Sequence, residues 1–194
     1  IIANETVEQL KDMGEEKPTH IILQAGVGSF AGSILGYFTN RYKEDRPICA
    51  IVEPKTAACI FKSASFDDGN IHPVTGDMET IMAGLACGEP NTISWKILRD
   101  YADAYISCPD YVSARGMRIL GNPLSGDERI ISGESGAVGM GILSIILKNT
   151  KYKVIKEKLK LDDKSRVLVI STEGDTYPEG YRKIVWDGKC PSYE

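Results

Sequence analysis

The sequence predicts an α/β fold, a mainly parallel sheet with flanking helices. Three observations carry that expectation. The apolar runs at 20–25, 48–52, 104–107 and 167–170 are short and continuous rather than alternating, the pattern of parallel strands covered on both faces. Stretches with apolar residues at helical spacing separate them, and strands alternating with helices build βαβ units. The first strand passes into a helix through Gln24-Ala25-Gly26-Val27-Gly28-Ser29-Phe30-Ala31-Gly32-Ser33, a glycine turn of the kind that brings backbone close to a ligand.

In chain order, 4–14 reads as the end of a helix, with Val7 and Leu10 inward and Gly14 as its stop. A polar link, 15–19, leads to strand 20–25. Helix 29–40 places Phe30, Ile34 and Phe38 at helical spacing, with Ala31 and Leu35 beside them. A charged loop, 42–46, precedes Pro47 and strand 48–52. Residues 62–78, with Asp67-Asp68-Gly69 and His72-Pro73, read as less regular, and 80–87 as a helical run of small residues. After a turn at 88–91, helix 94–103 carries Ile97, Leu98, Tyr101 and Ala102 on one face, and strand 104–107 follows. Asp110 is placed to cap a helix running to about Leu120. The strongly apolar 136–148 reads as a buried helix, and 154–161 as a basic amphipathic one. Strand 167–170 ends in Ser171-Thr172-Glu173-Gly174-Asp175. No internal repeat, low-complexity tract or Gly/Ser linker interrupts this order.

The 194 residues suit one domain or part of a larger one. With 42% hydrophobic and 26% charged residues the balance is that of a globular protein. A net charge of −4 and a pI near 5.3 argue against nucleic acid as a partner. No apolar run approaches the ~20 residues needed to cross a membrane, and the N-terminus lacks the pattern of a signal peptide. It also lacks an initiator Met, so sequence is expected to precede it. The five cysteines (Cys49, Cys59, Cys87, Cys108, Cys190) contain no Cys-x-x-Cys, and His20 and His72 are the only histidines. That argues against both a disulfide scaffold and a zinc site. Cys49 reads as a small buried hydrophobe. Cys59 and Cys87 flank a loop-rich stretch, and whether they pair is left open.

In such sheets ligands bind at the carboxyl ends of strands, which here are 24–29, 53–56 and 171–175. A glycine turn opening a helix presents free N–H groups and the positive end of the helix dipole to an anion, so a phosphorylated cofactor or substrate is expected there. Gly26-x-Gly28-x-x-x-Gly32 also matches a dinucleotide fingerprint, with Glu53 placed to bind a ribose hydroxyl. The alternative function is therefore the dinucleotide-binding half of an oxidoreductase. The plain alternative is that the glycines only allow close helix–strand packing. Ser132-Gly133-Glu134-Ser135-Gly136-Ala137 is either a second anion site or a turn with Ser135 as helix cap. Glu134 either faces a cofactor ring or ammonium group or is a solvated first-turn carboxylate. The hydroxyls of Ser171 and Thr172 either face a ring nitrogen or cap a turn. Asp67, Asp68 and Asp77 read as a solvated loop, and Lys153, Lys156, Lys158 and Lys160 as a solvated helix face. The scattered aromatic residues make no stacking platform.

The segments THIILQAGVGSFAGSILGYF, CAIVEPKTAACIFKSA, GDMETIMAGLACGEPN, YADAYISCPDYVSARGMRIL and ISGESGAVGMGIL resemble the C-terminal half of the diaminopropionate ammonia-lyases. These are pyridoxal-phosphate enzymes of fold type II, tryptophan synthase β-like and related to threonine and serine dehydratases. The ending, from Ser171 to Thr176 and Tyr181 to Trp186, is similar to theirs as well. The resemblance implies a cofactor, pyridoxal 5'-phosphate, held by Gly26, Val27, Gly28, Ser29 and Phe30, where Val27 and Ser29 replace glycines of the usual run. It implies Ser171 opposite the pyridine nitrogen, with Thr172 the alternative shifted by one. A neutral hydroxyl there leaves the nitrogen largely unprotonated and tempers the electron sink, which suits β-elimination. Glu134 falls one position late against the dehydratase Glu-Pro-Ser-Gly-Ala, so its place near the cofactor stays open.

The Schiff-base lysine of this fold lies in the N-terminal half. Its usual context is absent here, and Phe61-Lys62-Ser63 follows the second strand. The acid/base aspartates are expected upstream too. The chain is thus expected to be the C-terminal part of a lyase, mostly its larger cofactor-binding domain, with no catalytic residue of its own. The implied substrate is 2,3-diaminopropionate, and the implied setting a cytoplasmic homodimer without nucleic-acid or membrane partners. On this reading an aspartate at Gly28 sets a carboxylate where the phosphate sits.

Overall fold

The computed structural model describes residues 1–192. Its strands are β1 (His20–Gln24), β2 (Ile48–Pro54), β3 (Ala104–Cys108) and β4 (Val167–Val169). Its helices are α1 (Ile2–Asp12), α2 (Ser29–Tyr42), α3 (Cys59–Phe66), α4 (Thr92–Tyr101), α5 (Asp110–Gly121), α6 (Glu134–Lys148), α7 (Lys153–Lys158) and α8 (Pro178–Val185). All pairings are parallel and the strand order is β3-β2-β1-β4. The chain steps outward from β1 through β2 to β3, then returns to the other side of β1 as β4. The order therefore reverses between β1 and β4, and the crevice above their carboxyl ends is the switch point where α/β sheets bind ligands.

The central strands β1 and β2 are buried on both faces, and the edge strands β3 and β4 are half-buried. Ile21, Leu23, Cys49 and Ile51 pack with α1, α2, α3 and α4, while Ile22, Ala50 and Val52 pack beneath α5 and α6. A smaller cluster joins Ala114, Met117, Ala137, Tyr181 and Ile184 of α5, α6 and α8. His20, at the start of β1, is a structural residue. Its Nε2 lies 2.7 Å from the Leu159 carbonyl and its Nδ1 2.7 Å from the Thr19 hydroxyl. A carbonyl only accepts, so Nε2 carries a proton.

Several elements differ from expectation, each for a local reason. Residues 80–87 form only a single 3₁₀ turn, Ala83–Leu85. The Asp110 carboxylate accepts from the Thr80 hydroxyl at 2.5 Å and the Ile81 N–H at 3.1 Å, which holds the segment extended while Met82 and Leu85 plug the core. Asp110 is therefore not a helix cap; the N-cap position of α5 is Pro109. The stretch read as irregular begins inside helix α3. Its cap lies outside the helix: Glu53 at the end of β2 accepts from the Ile60 and Phe61 N–H groups at 2.9 and 2.6 Å. Helix α7 stops at Lys158, short of 161, because Leu159 and Leu161 turn into the core and Lys160 takes a left-handed φ of 55°. Helix α6 starts at Glu134 with Gly133 as N-cap, so Ser135 is not its cap. Helix α4 buries Trp95 and Leu98, whereas Tyr101 is exposed. Helix α8, unforeseen, opens with Pro178 at its first turn, a favoured place for proline, and buries Tyr181 and Ile184.

Candidate cofactor site

A cleft of about 400 Å³ opens at the β1/β4 switch point. Its floor is the loop after β1, with Gln24, Ala25, Gly26, Val27, Gly28 and Phe30 among its lining residues. Gly84, Leu85 and Cys87 form one wall, and Ser135, Thr172 and Glu173 another.

The loop is held from below. Gly28, at the N-cap of α2, has a φ of +87°, a left-handed conformation that favours glycine. A Cβ there would lie 2.8 Å from Cδ1 of both Ile60 and Leu98. The Val27 carbonyl accepts from the Asn91 N–H at 2.7 Å. The Asn91 side chain in turn caps α4 through the Ile93 and Ser94 N–H groups. Gly32 lets α2 approach Ser94. The Gly26 carbonyl accepts from the Cys59 thiol at 3.6 Å. Both Cys59 and Cys87 are free thiols, so the pairing left open for them is not made. Burial pushes the Cys59 thiol up to about 12, so it remains protonated near neutrality.

Two glycine-rich helix starts meet this crevice, and they differ in one respect. At α2 no side chain caps the helix and no acidic residue occupies the first turn, so its leading N–H groups lack intrahelical partners. At α6 the Glu173 carboxylate accepts from the Ser135 N–H at 2.6 Å, and Glu134 adds a second first-turn carboxylate. The second anion site considered for 132–137 is thus filled by the protein's own Glu173. An anion entering the cleft meets attraction at α2 alone.

The nucleotide alternative fails at Glu53. Its side chain is 1% exposed, and its two oxygens are turned to the Ile60 and Phe61 N–H groups, away from any ribose. Burial raises this carboxyl to about 7, against the opposing pull of those two bonds. The expected route to Gly28→Asp also changes, because a side chain at 28 enters the apolar contact of Ile60 and Leu98 rather than the cleft.

The structure brings Gly26, Val27, Gly28, Phe30 and Thr172 together on one cleft, while Ser29, Glu134 and Ser171 are not among its lining residues. Ser29 is the exposed first residue of α2. Glu134 opens α6 half-buried, and its backbone carbonyl takes the Ser113 hydroxyl. The Ser171 hydroxyl lies 2.8 Å from Ser132 Oγ and 3.1 Å from the Glu173 carbonyl. Gln24, Ala25, Ser135 and Glu173 fall inside segments 24–29, 132–137 and 171–175 without having been assigned to the cofactor, and sequence reasoning missed Gly84, Leu85 and Cys87 altogether. Of these, Gln24 carried the further signal of a lone amide closing an apolar strand.

The donors here suit a phosphate with an attached ring. An uncapped helix N-terminus serves the anion, glycines leave room for it, and a hydroxyl stands at the opposite strand end. Fold and site together define an α/β domain with a ligand cleft at its switch point, suited to a phosphorylated cofactor. The chain belongs to the pyridoxal-phosphate-dependent enzymes, a family whose sequence profile matches residues 1–173. It is similar to the diaminopropionate ammonia-lyase of Salmonella typhimurium, at 53% identity over 189 residues, covering 97% of this chain and 47% of that one. It is also similar to the crystal structure of the Escherichia coli diaminopropionate ammonia-lyase, with a TM-score of 0.88 at 51% identity, again over 97% of this chain and 47% of the other. A threonine deaminase from Solanum lycopersicum shares the fold, with a TM-score of 0.72 at 15% identity over 99% of this chain and 48% of that one. The chain spans about half the length of the curated relatives it matches.

Proposed function

We propose that this chain is the C-terminal part of a pyridoxal-phosphate-dependent ammonia-lyase, and that the whole protein converts 2,3-diaminopropionate and water to pyruvate and two ammonia. The observation that carries the reading is the uncapped, glycine-led start of α2 facing Thr172 across the switch point, in a chain so close to lyases of that name. Bound pyridoxal phosphate supplies the electron sink that lets an amino acid lose its α-proton and then its β-substituent. The residues of this chain bind and orient. The N–H groups at the start of α2, with Gly26, Val27, Gly28, Ser29 and Phe30, would hold the phosphate. Thr172 would meet the ring nitrogen. Glu173 keeps the start of α6 closed to the anion, so the phosphate has one seat rather than two. Leu85 and Cys87 line one side of the cleft. The lysine that holds the cofactor and the acid/base groups belong to the remainder of the protein. The reading extends to a homodimer working in the cytoplasm, which light-scattering mass and cell fractionation would check.

The test is turnover by the full-length protein loaded with pyridoxal phosphate. Pyruvate and ammonia should appear in a 1:2 ratio from diaminopropionate. Absence of pyruvate from this substrate would overturn the reading. After borohydride reduction, a single phosphopyridoxyl group should map to a lysine outside residues 1–194; a stoichiometric adduct on a lysine within them would overturn the division of labour.

A further inference from the structure

Gln24 closes β1 with its side chain 3% exposed. Its amide nitrogen lies 2.8 Å from the Ile170 carbonyl oxygen and 3.0 Å from the Thr172 hydroxyl oxygen. A carbonyl can only accept, so the atom facing Ile170 must be the NH₂, and the orientation of the amide is fixed by chemistry. The second N–H then goes to Thr172 Oγ1. A hydroxyl that accepts from an amide still has its own proton to donate, and Thr172 lies on the cleft. Ser171 is in the opposite condition. Its hydroxyl has two acceptors within the protein, Ser132 Oγ at 2.8 Å and the Glu173 carbonyl at 3.1 Å, and its single proton is taken there.

We propose that Gln24 is a positioning residue: it holds the Thr172 hydroxyl as a donor toward the cleft, where the unprotonated ring nitrogen of pyridoxal phosphate receives the bond. The proposal rests on the cofactor reading above and deepens it, choosing between two adjacent hydroxyls and naming the group that makes the choice. The bond satisfies the nitrogen without ionising it. A threonine hydroxyl is far too weak an acid to give up its proton, and neither Gln24 nor the Ile170 carbonyl is an acid that could supply one through it. The buried amide thus keeps the ring a moderate electron sink. A carboxylate at position 24 would accept the Thr172 proton itself and leave the cleft without its donor.

The experiment uses the full-length protein loaded with pyridoxal phosphate carrying ¹⁵N at the ring nitrogen, whose chemical shift reports hydrogen bonding directly. Thr172→Val and Gln24→Met should both move the resonance toward that of an unbonded pyridine. Ser171→Ala should leave it in place, and the double variant Gln24→Met/Thr172→Val should match Thr172→Val alone. The cofactor dissociation constant should rise about fivefold in Thr172→Val, the size of one neutral hydrogen bond. If Gln24→Met does not fold, Gln24→Asn, too short to reach both partners, takes its place. A Gln24 variant with the wild-type resonance overturns the role of Gln24, as does a resonance that follows Ser171 instead of Thr172. A wild-type protein that retains no pyridoxal phosphate overturns the cofactor reading itself, a distinguishable result.

Discussion

Gly28 and Gly14 share a left-handed backbone, with φ of 87° and 76°, but not an environment. A Cβ on Gly14 meets nothing within 4 Å, whereas one on Gly28 meets Ile60 and Leu98 at 2.8 Å. Gly14→Ala should therefore cost only the conformational strain, about 1–2 kcal/mol, and Gly28→Ala should cost about 3 kcal/mol or more once overpacking is added. Urea denaturation checks this; equal losses would mean that Ile60 and Leu98 swing aside without cost. Glu53 gives a prediction in pH. Its carboxyl titrates at about 7 in the folded protein, raised by burial from an ordinary value near 4.5. Between those values the folded state binds a proton that the unfolded chain does not, so stability falls as pH rises through this window and is level above it. Glu53→Gln should flatten that slope. It should also lower stability at pH 5, because its NH₂ faces one of the two N–H groups that the carboxyl now accepts. Parallel pH profiles for the two proteins would sink the assignment.

Among elements, the crossing of α5 and α6 is the tightest. A Cβ on Gly141 would sit 1.9 Å from the Val112 carbonyl oxygen, and one on Gly116 2.0 Å from that of Ala137. The backbones touch, and the Ser113 hydroxyl bonds across to the Glu134 carbonyl. Gly141→Ala must push the helices apart and should cost at least about 3 kcal/mol. Gly139→Ala, whose Cβ would lie 3.3 Å from a Val169 methyl, should cost about 1 kcal/mol, and thermal melts of the two variants distinguish them. Because α6 carries Ser135 on the cleft, Gly141→Ala should also weaken cofactor binding, and Gly139→Ala should not. The elements legible in the sequence are those whose determinants are local. The strands were, because a parallel strand covered on both faces must be apolar throughout; so was α2, whose glycine start and Ile34, Leu35 and Phe38 stripe lie in one stretch. Two of the elements misread answer to partners outside themselves. Helix α3 begins because Glu53 caps it, and 80–87 fails to coil because Asp110 holds Thr80 and Ile81. Neither tie leaves a periodic trace.

At the scale of the molecule, the site is a consequence of strand order. The loop after β1 and the end of β4 could each be read from sequence as a place for a ligand, but only the order β3-β2-β1-β4 sets them side by side. The wall formed by Gly84, Leu85 and Cys87 arrives through an irregular connection that no pattern announces. The resulting cleft has an unusual charge balance for a phosphate site. Among the described residues, its lining contains no lysine or arginine, and Glu173 is its one carboxylate. That carboxylate is tied to the Ser135 N–H, so on the proposed reading phosphate binding would fall to backbone N–H groups and the α2 dipole, which act at short range and tolerate no competing anion nearby. Val27 tests this without disturbing the core, being 39% exposed on the cleft floor. Val27→Asp should weaken pyridoxal-phosphate binding to the full-length protein about tenfold, the effect of a like charge several ångströms away in a partly wet site. Raising the salt should recover part of the loss, since exposed charges are screened, while the melting temperature of the cofactor-free protein should stay within about 2 °C of wild type. Unchanged affinity would place the phosphate elsewhere than at α2. A fall in affinity matched by a fall in melting temperature would mean that the loop had been damaged rather than its field altered.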